Sequence, residues 1–224
     1  ALLSSMLYCN LSYYTIVRDI KDVLLVTSCG AEAIPFMKTW INFPMSIVSM
    51  YAFTKLVHIG CNNANIYRIL FASVATCYAF VGIVLYPCRS VLQPCNLPWI
   101  PSEILASIVY NWVSALFYAL ASIWGSMVIS LLFWLTANDY TNTDDAKRLY
   151  PLFGFLGNIA LITSGMIINV CGHCFKDNWD MNIQTLSVIN VCFAVINMGC
   201  FEVLVRRFDS VHSLPLTHAN ANAN

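Results

Sequence analysis

Arg18-Asp19-Ile20-Lys21-Asp22 sets four charges in five residues inside an apolar segment running from Ala1 to about Gly30. A helix over that segment is long enough to cross a bilayer, where each charge near its centre costs about 2.5–3.5 kcal/mol on insertion scales. Charges kept at that cost need a reason. At about 100° per residue, Tyr14, Thr15, Arg18, Lys21 and Asp22 fall within about a third of the circumference, while Ile16, Ile20 and Leu24 take the opposite side. The polar stripe therefore faces protein or a water-filled path. In one reading the charges neutralise each other, Arg18 with Asp22 at i,i+4 being the natural pair, and lock the helix to its neighbours. In the other they line a route for a charged solute, the default meaning of ionisable groups inside a membrane. Pairing and transport are compatible.

The rest of the chain supports a membrane setting. Of 224 residues, 59% are hydrophobic and only 10% charged, and the mean hydropathy is +0.69. Such a chain is too apolar for a soluble domain and reads as an all-α polytopic membrane protein. A formal net charge of zero gives no electrostatic case for nucleic acid as a partner. The sequence begins at Ala1, which suggests a processed chain or part of a longer one, and the charged first segment reads as a working span rather than a signal or transit peptide. Most of the ten cysteines lie in apolar runs, where they behave as small hydrophobes. Cys171-Gly172-His173-Cys174 spells a thiol motif without the strand and helix start that give it meaning. Cys171, His173 and Cys174 are thus weak metal candidates, with Cys88 and Cys95 expected on the same membrane side. No cofactor is expected.

Uncharged runs place six spans at about 1–28, 33–57, 68–88, 103–138, 148–172 and 181–203. They make up a membrane domain over 1–207, followed by a polar low-complexity tail over 208–224. The fourth run contains no proline and one glycine, Gly125, so it reads as one overlong helix. At 1.5 Å per residue it is about 50 Å long against a hydrocarbon core of about 30 Å, so it must tilt, bend or project. Six spans put both ends on one side with Lys55, Arg68, Lys147, Arg148, Arg206 and Arg207, leaving Arg89 and Lys176 opposite. The positive-inside rule makes the ends cytoplasmic or stromal-equivalent. Pro35 and Pro44 favour a bend in the second span. Pro87, Pro94, Pro98 and Pro101 stiffen the loop before the fourth. Thr143-Asp144-Asp145 supplies a cap for a helix starting near Ala146. No P-loop, dinucleotide fingerprint, Ser/His/Asp arrangement or zinc-enzyme spelling occurs, so nothing argues for an enzyme.

Three ordered blocks carry a resemblance. Lys21-Asp22-Val23-Leu24-Leu25-Val26-Thr27, then Gly30-Ala31-Glu32-Ala33-Ile34-Pro35-Phe36-Met37-Lys38, form the first. The second is Trp124-Gly125-Ser126 with Ser130-Leu131-Leu132-Phe133-Trp134 and Ala137-Asn138. The third is Ala146-Lys147-Arg148-Leu149-Tyr150-Pro151-Leu152-Phe153-Gly154 followed by Asn158-Ile159-Ala160-Leu161. As a set they resemble the ATP/ADP translocases of plastids and intracellular bacteria, closely over about Arg18 to Gly165. The resemblance implies a major-facilitator-like architecture of two six-helix halves, of which this chain matches the N-terminal one. It also implies exchange of adenine nucleotides at a site between the halves near the bilayer midplane. Lys21 then matches a first-span lysine on which transport depends, a point charge suited to polyphosphate, with Arg18 assisting and Asp22 beside it.

The chain departs from that pattern in two ways. Where the family has an acidic residue before its second block, Ala121-Ser122-Ile123-Trp124 puts Ser122, which carries no charge for a switching ion pair. The chain also holds only six spans. One expectation is therefore a nucleotide antiporter in the plastid inner envelope, or in another organelle or endosymbiont membrane, completed by a second half, a homodimer or a longer protein. The alternative is a transport-inactive derivative serving as a structural subunit of a larger energy-converting complex. A lipid- or pigment-binding scaffold is a third class, since the many aromatic residues would suit such contacts.

Overall fold

The computed structural model describes residues 2–94, 102–141, 143–176 and 178–212, and these contain helices and short connections but no strand. The first helix, α1, covers Leu2–Cys29. Ala33–Met37, Lys38–Asn42 and Phe43–His58 run on as one rod, α2. Then come α3 (Asn63–Leu85), the single turn α4 (Arg89–Leu92), α5 (Glu103–Tyr110) and α6 (Trp112–Asp139). The long helices α7 (Thr143–Cys174) and α8 (Trp179–His212) follow. By length and composition, α3, α6, the Leu149–Cys174 part of α7 and the Trp179–Phe208 part of α8 can each cross a membrane. Large apolar side chains cover the outside, from Trp40 at 68% exposure on α2 to Val195 at 66% on α8. That surface is a liability in water and ordinary against acyl chains. The chain is an all-α integral membrane protein.

The run expected as one overlong helix is broken. Asn111 leaves helical geometry (φ −100°, ψ 40°) and separates α5 from α6. Its side chain explains the break: Nδ2 donates to Ser107 O at 3.2 Å, competing with the local ladder, and to Ser28 O of α1 at 2.9 Å. In α2, Pro35 lies in the first turn, where a missing N–H costs nothing. Pro44 has no N–H for the carbonyl of Trp40, and the backbone just before it widens, Phe43 N bonding Lys38 O across Lys38–Asn42. The helix expected to start near Ala146 already includes Thr143, so Thr143 to Asp145 form its first turn instead of a preceding cap. Helix α8 runs to His212, past the expected start of the tail. The remainder of the tail, Cys95, Pro98 and Pro101 lie outside the described residues.

α1 is the buried centre, packed along α7, α8 and α6. Ile16, Ile20 and Leu24 are buried as well, so the side of α1 opposite the polar stripe also packs against protein. Tyr13 stacks on Trp124 of α6, ring centroids 3.7 Å apart, while Phe71 of α3 meets the same indole edge-on at 5.2 Å. Tyr67 of α3 donates to Asn197 Oδ1 of α8 at 2.8 Å, and Asn197 Nδ2 reaches Met6 O of α1. Ion pairs reach α8 near both ends: Arg68 of α3 with Glu202, both Nε and Nη2 engaged, and Arg89 of α4 with Asp180. Gly30 takes φ +88° to end α1, a conformation glycine adopts without strain, and its N–H closes on Val26 O. Gly125 serves close approach instead: a Cβ there would lie 2.6 Å from the Tyr14 ring of α1.

Candidate functional site on the charged face of the first helix

The expected polar stripe divides in two. Lys21 turns inward, its side chain only 9% exposed, while Arg18 and Asp22 lie toward the open side at 45% and 47%. The burial of Lys21 follows from α6, where the Tyr118 ring receives the ammonium at 4.0 Å from its centroid. Asp22 Oδ1 accepts from Lys21 Nζ at 2.8 Å. Thr15, also buried, satisfies its hydroxyl by donating to Leu11 O.

The i,i+4 pair of Arg18 with Asp22 is not formed. With Asp22 engaged by Lys21, Arg18 Nε takes Asp19 Oδ1 at 3.2 Å, so the pairing runs between sequence neighbours. The Arg18 guanidinium lies 6.0 Å from the centroid of the Tyr14 ring, the same ring that Gly125 lets approach α6 closely. An exposed pair of this kind contributes about 0.2–1 kcal/mol, too little to account for Arg18 and Asp19 in α1 by stability alone.

Ser122 lies one turn beyond Tyr118 on α6, and Asn42 of α2 donates to its Oγ at 2.9 Å, while Ser122 Oγ donates to Tyr118 O. Asn42 Oδ1 and the Tyr118 phenol oxygen are buried, and among the described residues neither meets a partner in full hydrogen-bonding geometry, though the two side chains interact with each other. Ser122 thus joins a neutral link between α2 and α6. Further along, Ser46, Ser49, Met50, Ser126, Met127 and Leu131 line a groove of about 190 Å³ between these helices. The four hydroxyls in or beside it that belong to Ser46, Ser49, Ser126 and Ser130 donate to carbonyls of their own helices.

Sequence reasoning singled out Arg18, Lys21, Asp22 and Ser122 as candidates and did not connect them with Tyr118, Asn42 or the neighbouring serines. The four-residue spacing of Tyr118, Ser122, Ser126 and Ser130 was the available signal, since it places them on one side of α6. The thiol motif gains no support as a metal site: Cys171 is buried, His173 and Cys174 are exposed, and among the described residues no three His, Cys, Asp or Glu residues are placed to hold a metal ion.

The sequence profile of the family described as TLC ATP/ADP transporter matches residues 2–221. Among curated proteins, the chain is 38% identical over 220 residues to ADP,ATP carrier protein 2, chloroplastic, of Arabidopsis thaliana, covering 89% of this chain and 34% of that protein. It is 44% identical over 175 residues to the plastidic ATP/ADP-transporter of Solanum tuberosum, covering 74% and 28% respectively. With ADP,ATP carrier protein 1 of Chlamydia trachomatis it shares 36% identity over 211 residues, 88% of this chain and 40% of the relative. The chain spans roughly a third of the length of these relatives. No solved structure matches it.

Proposed function

We propose, from the premise that this chain belongs to the TLC ATP/ADP transporter family, that it works in a membrane exchanger of adenine nucleotides, ATP against ADP, by alternating access. The single observation that carries this reading beyond family membership is Lys21. It is a nearly buried ammonium inside the first family-like block, held by a half-exposed carboxylate and an aromatic ring. Lys21 supplies the charge for the polyphosphate, Arg18 assists from the open side, and Asp22 restrains Lys21 when no anion is present. A lysine suits this work because its flexible stem carries a point charge that can follow the phosphates.

In this reading α1, α2, α3, α6, α7 and α8 are six spans forming one half of a major-facilitator-like unit, with substrate held between halves. The other half comes from the remainder of a longer protein, a second chain or a second copy. The plastid inner envelope is the proposed membrane, following the chloroplast and plastid relatives. Ser122 removes a charge from the α6 wall, so the α2–α6 link does not depend on charge switching.

Ligand selectivity tests the substrate class. In lipid nanodiscs, the protein is expected to bind ATP and ADP, with AMP at least about tenfold weaker because fewer charge-assisted contacts are made. Adenosine should bind more weakly still. Equal binding of all four, or none by folded protein, overturns the proposal.

A further inference from the structure

We infer that Tyr118 is a positioning residue that holds Lys21 in a withdrawn, anion-free seat and so sets how much binding energy a nucleotide must spend to recruit it. This rests on the reading of Lys21 as the polyphosphate ligand and deepens it. Lys21 Nζ lies 4.0 Å from the Tyr118 ring centroid and 2.8 Å from Asp22 Oδ1. Only 9% of the lysine side chain is exposed, so a bulky anion cannot engage the ammonium in this seat. Tyr118 is itself fully buried, packed with Leu25, Ala33 and Met37 from α1 and α2. Its ring is therefore a fixed feature of α6 rather than a mobile surface group. Ser122 and Asn42 hold the next turn of α6 to α2.

The chemistry of the seat suits a residue that must be released. An aromatic face attracts an ammonium through its quadrupole and carries no net charge, so a polyphosphate outcompetes it readily. Asp22 is half exposed, and solvent screens its hold on Lys21. The ammonium thus has two positions: one against Tyr118 and Asp22, and one extended to the anion. A ligand that binds only the second is weakened by the fraction of molecules in the first. Removing the ring should therefore strengthen nucleotide binding, the reverse of what a lost packing contact does.

The test measures ATP dissociation constants of the protein in nanodiscs. Tyr118→Leu is expected to lower Kd by about 2- to 30-fold, the range of one cation–π contact. Tyr118→Phe keeps the ring and should recover most of the wild-type value. Tyr118→Trp presents the stronger face and should raise Kd. If Tyr118→Leu does not fold, the order Trp above Tyr carries the test. A Kd that is unchanged or raised in Tyr118→Leu, with Lys21→Gln still weakening ATP binding, overturns the seat while leaving the nucleotide reading intact. ATP binding that ignores Lys21→Gln overturns both.

Discussion

Lys21→Gln is expected to weaken ATP binding by about 10- to 150-fold, the effect of losing hydrogen bonding to a charged group worth about 1.5–3 kcal/mol. Glutamine keeps much of the length and can still donate, so the loss isolates the charge. The substitution also leaves the Asp22 carboxylate without the ammonium 2.8 Å away, adding a repulsive charge beside the anion. Asp22→Asn in the Lys21→Gln background should therefore restore part of the affinity. Isothermal titration of the wild type, both single variants and the double variant gives the coupling directly. Arg18→Gln should cost less, since the guanidinium is already half solvated. A Lys21→Gln affinity within threefold of wild type would remove Lys21 from the site.

The largest stability effect is expected at Trp124. Its indole is fully buried, stacked on Tyr13 and met edge-on by Phe71, so it joins α1, α3 and α6. Inside a membrane the hydrophobic effect does not drive helices together, and close van der Waals packing carries more of the association. Trp124→Ala leaves a void that three helices must close at once, at about 3–5 kcal/mol on the scale of large-to-small core substitutions. Trp134, 40% exposed near the end of the same helix, should cost far less when replaced by alanine. Denaturant titration in detergent compares them, and equal shifts of the two midpoints would contradict this account of the core.

The helical membrane class was legible because the bilayer leaves few options. The ordered blocks from Lys21 to Leu161 identified the family, whereas the central place of α1 was not foreseen. What escaped depended on neighbours. A helical wheel suggests that Arg18 reaches Asp22, but only the α6 ring explains why Lys21 holds that carboxylate instead. Charge, proline and glycine give no sign of the break at Asn111. An amide that bonds both its own helix and the end of α1 interrupts an apolar run just as effectively. Asn42 was likewise invisible, since its partner Ser122 lies eighty residues away in sequence. That pair links α2 to α6 through a neutral hydrogen bond.

The most direct measurement is exchange of radiolabelled ATP against internal ADP in proteoliposomes carrying the purified protein with its native partners, alongside Lys21→Ala. Uptake is expected to require internal ADP and to fall to background in the variant. Folded protein that shows no exchange, or exchange indifferent to Lys21, would contradict the account; the first result would leave a structural membrane subunit as the better reading.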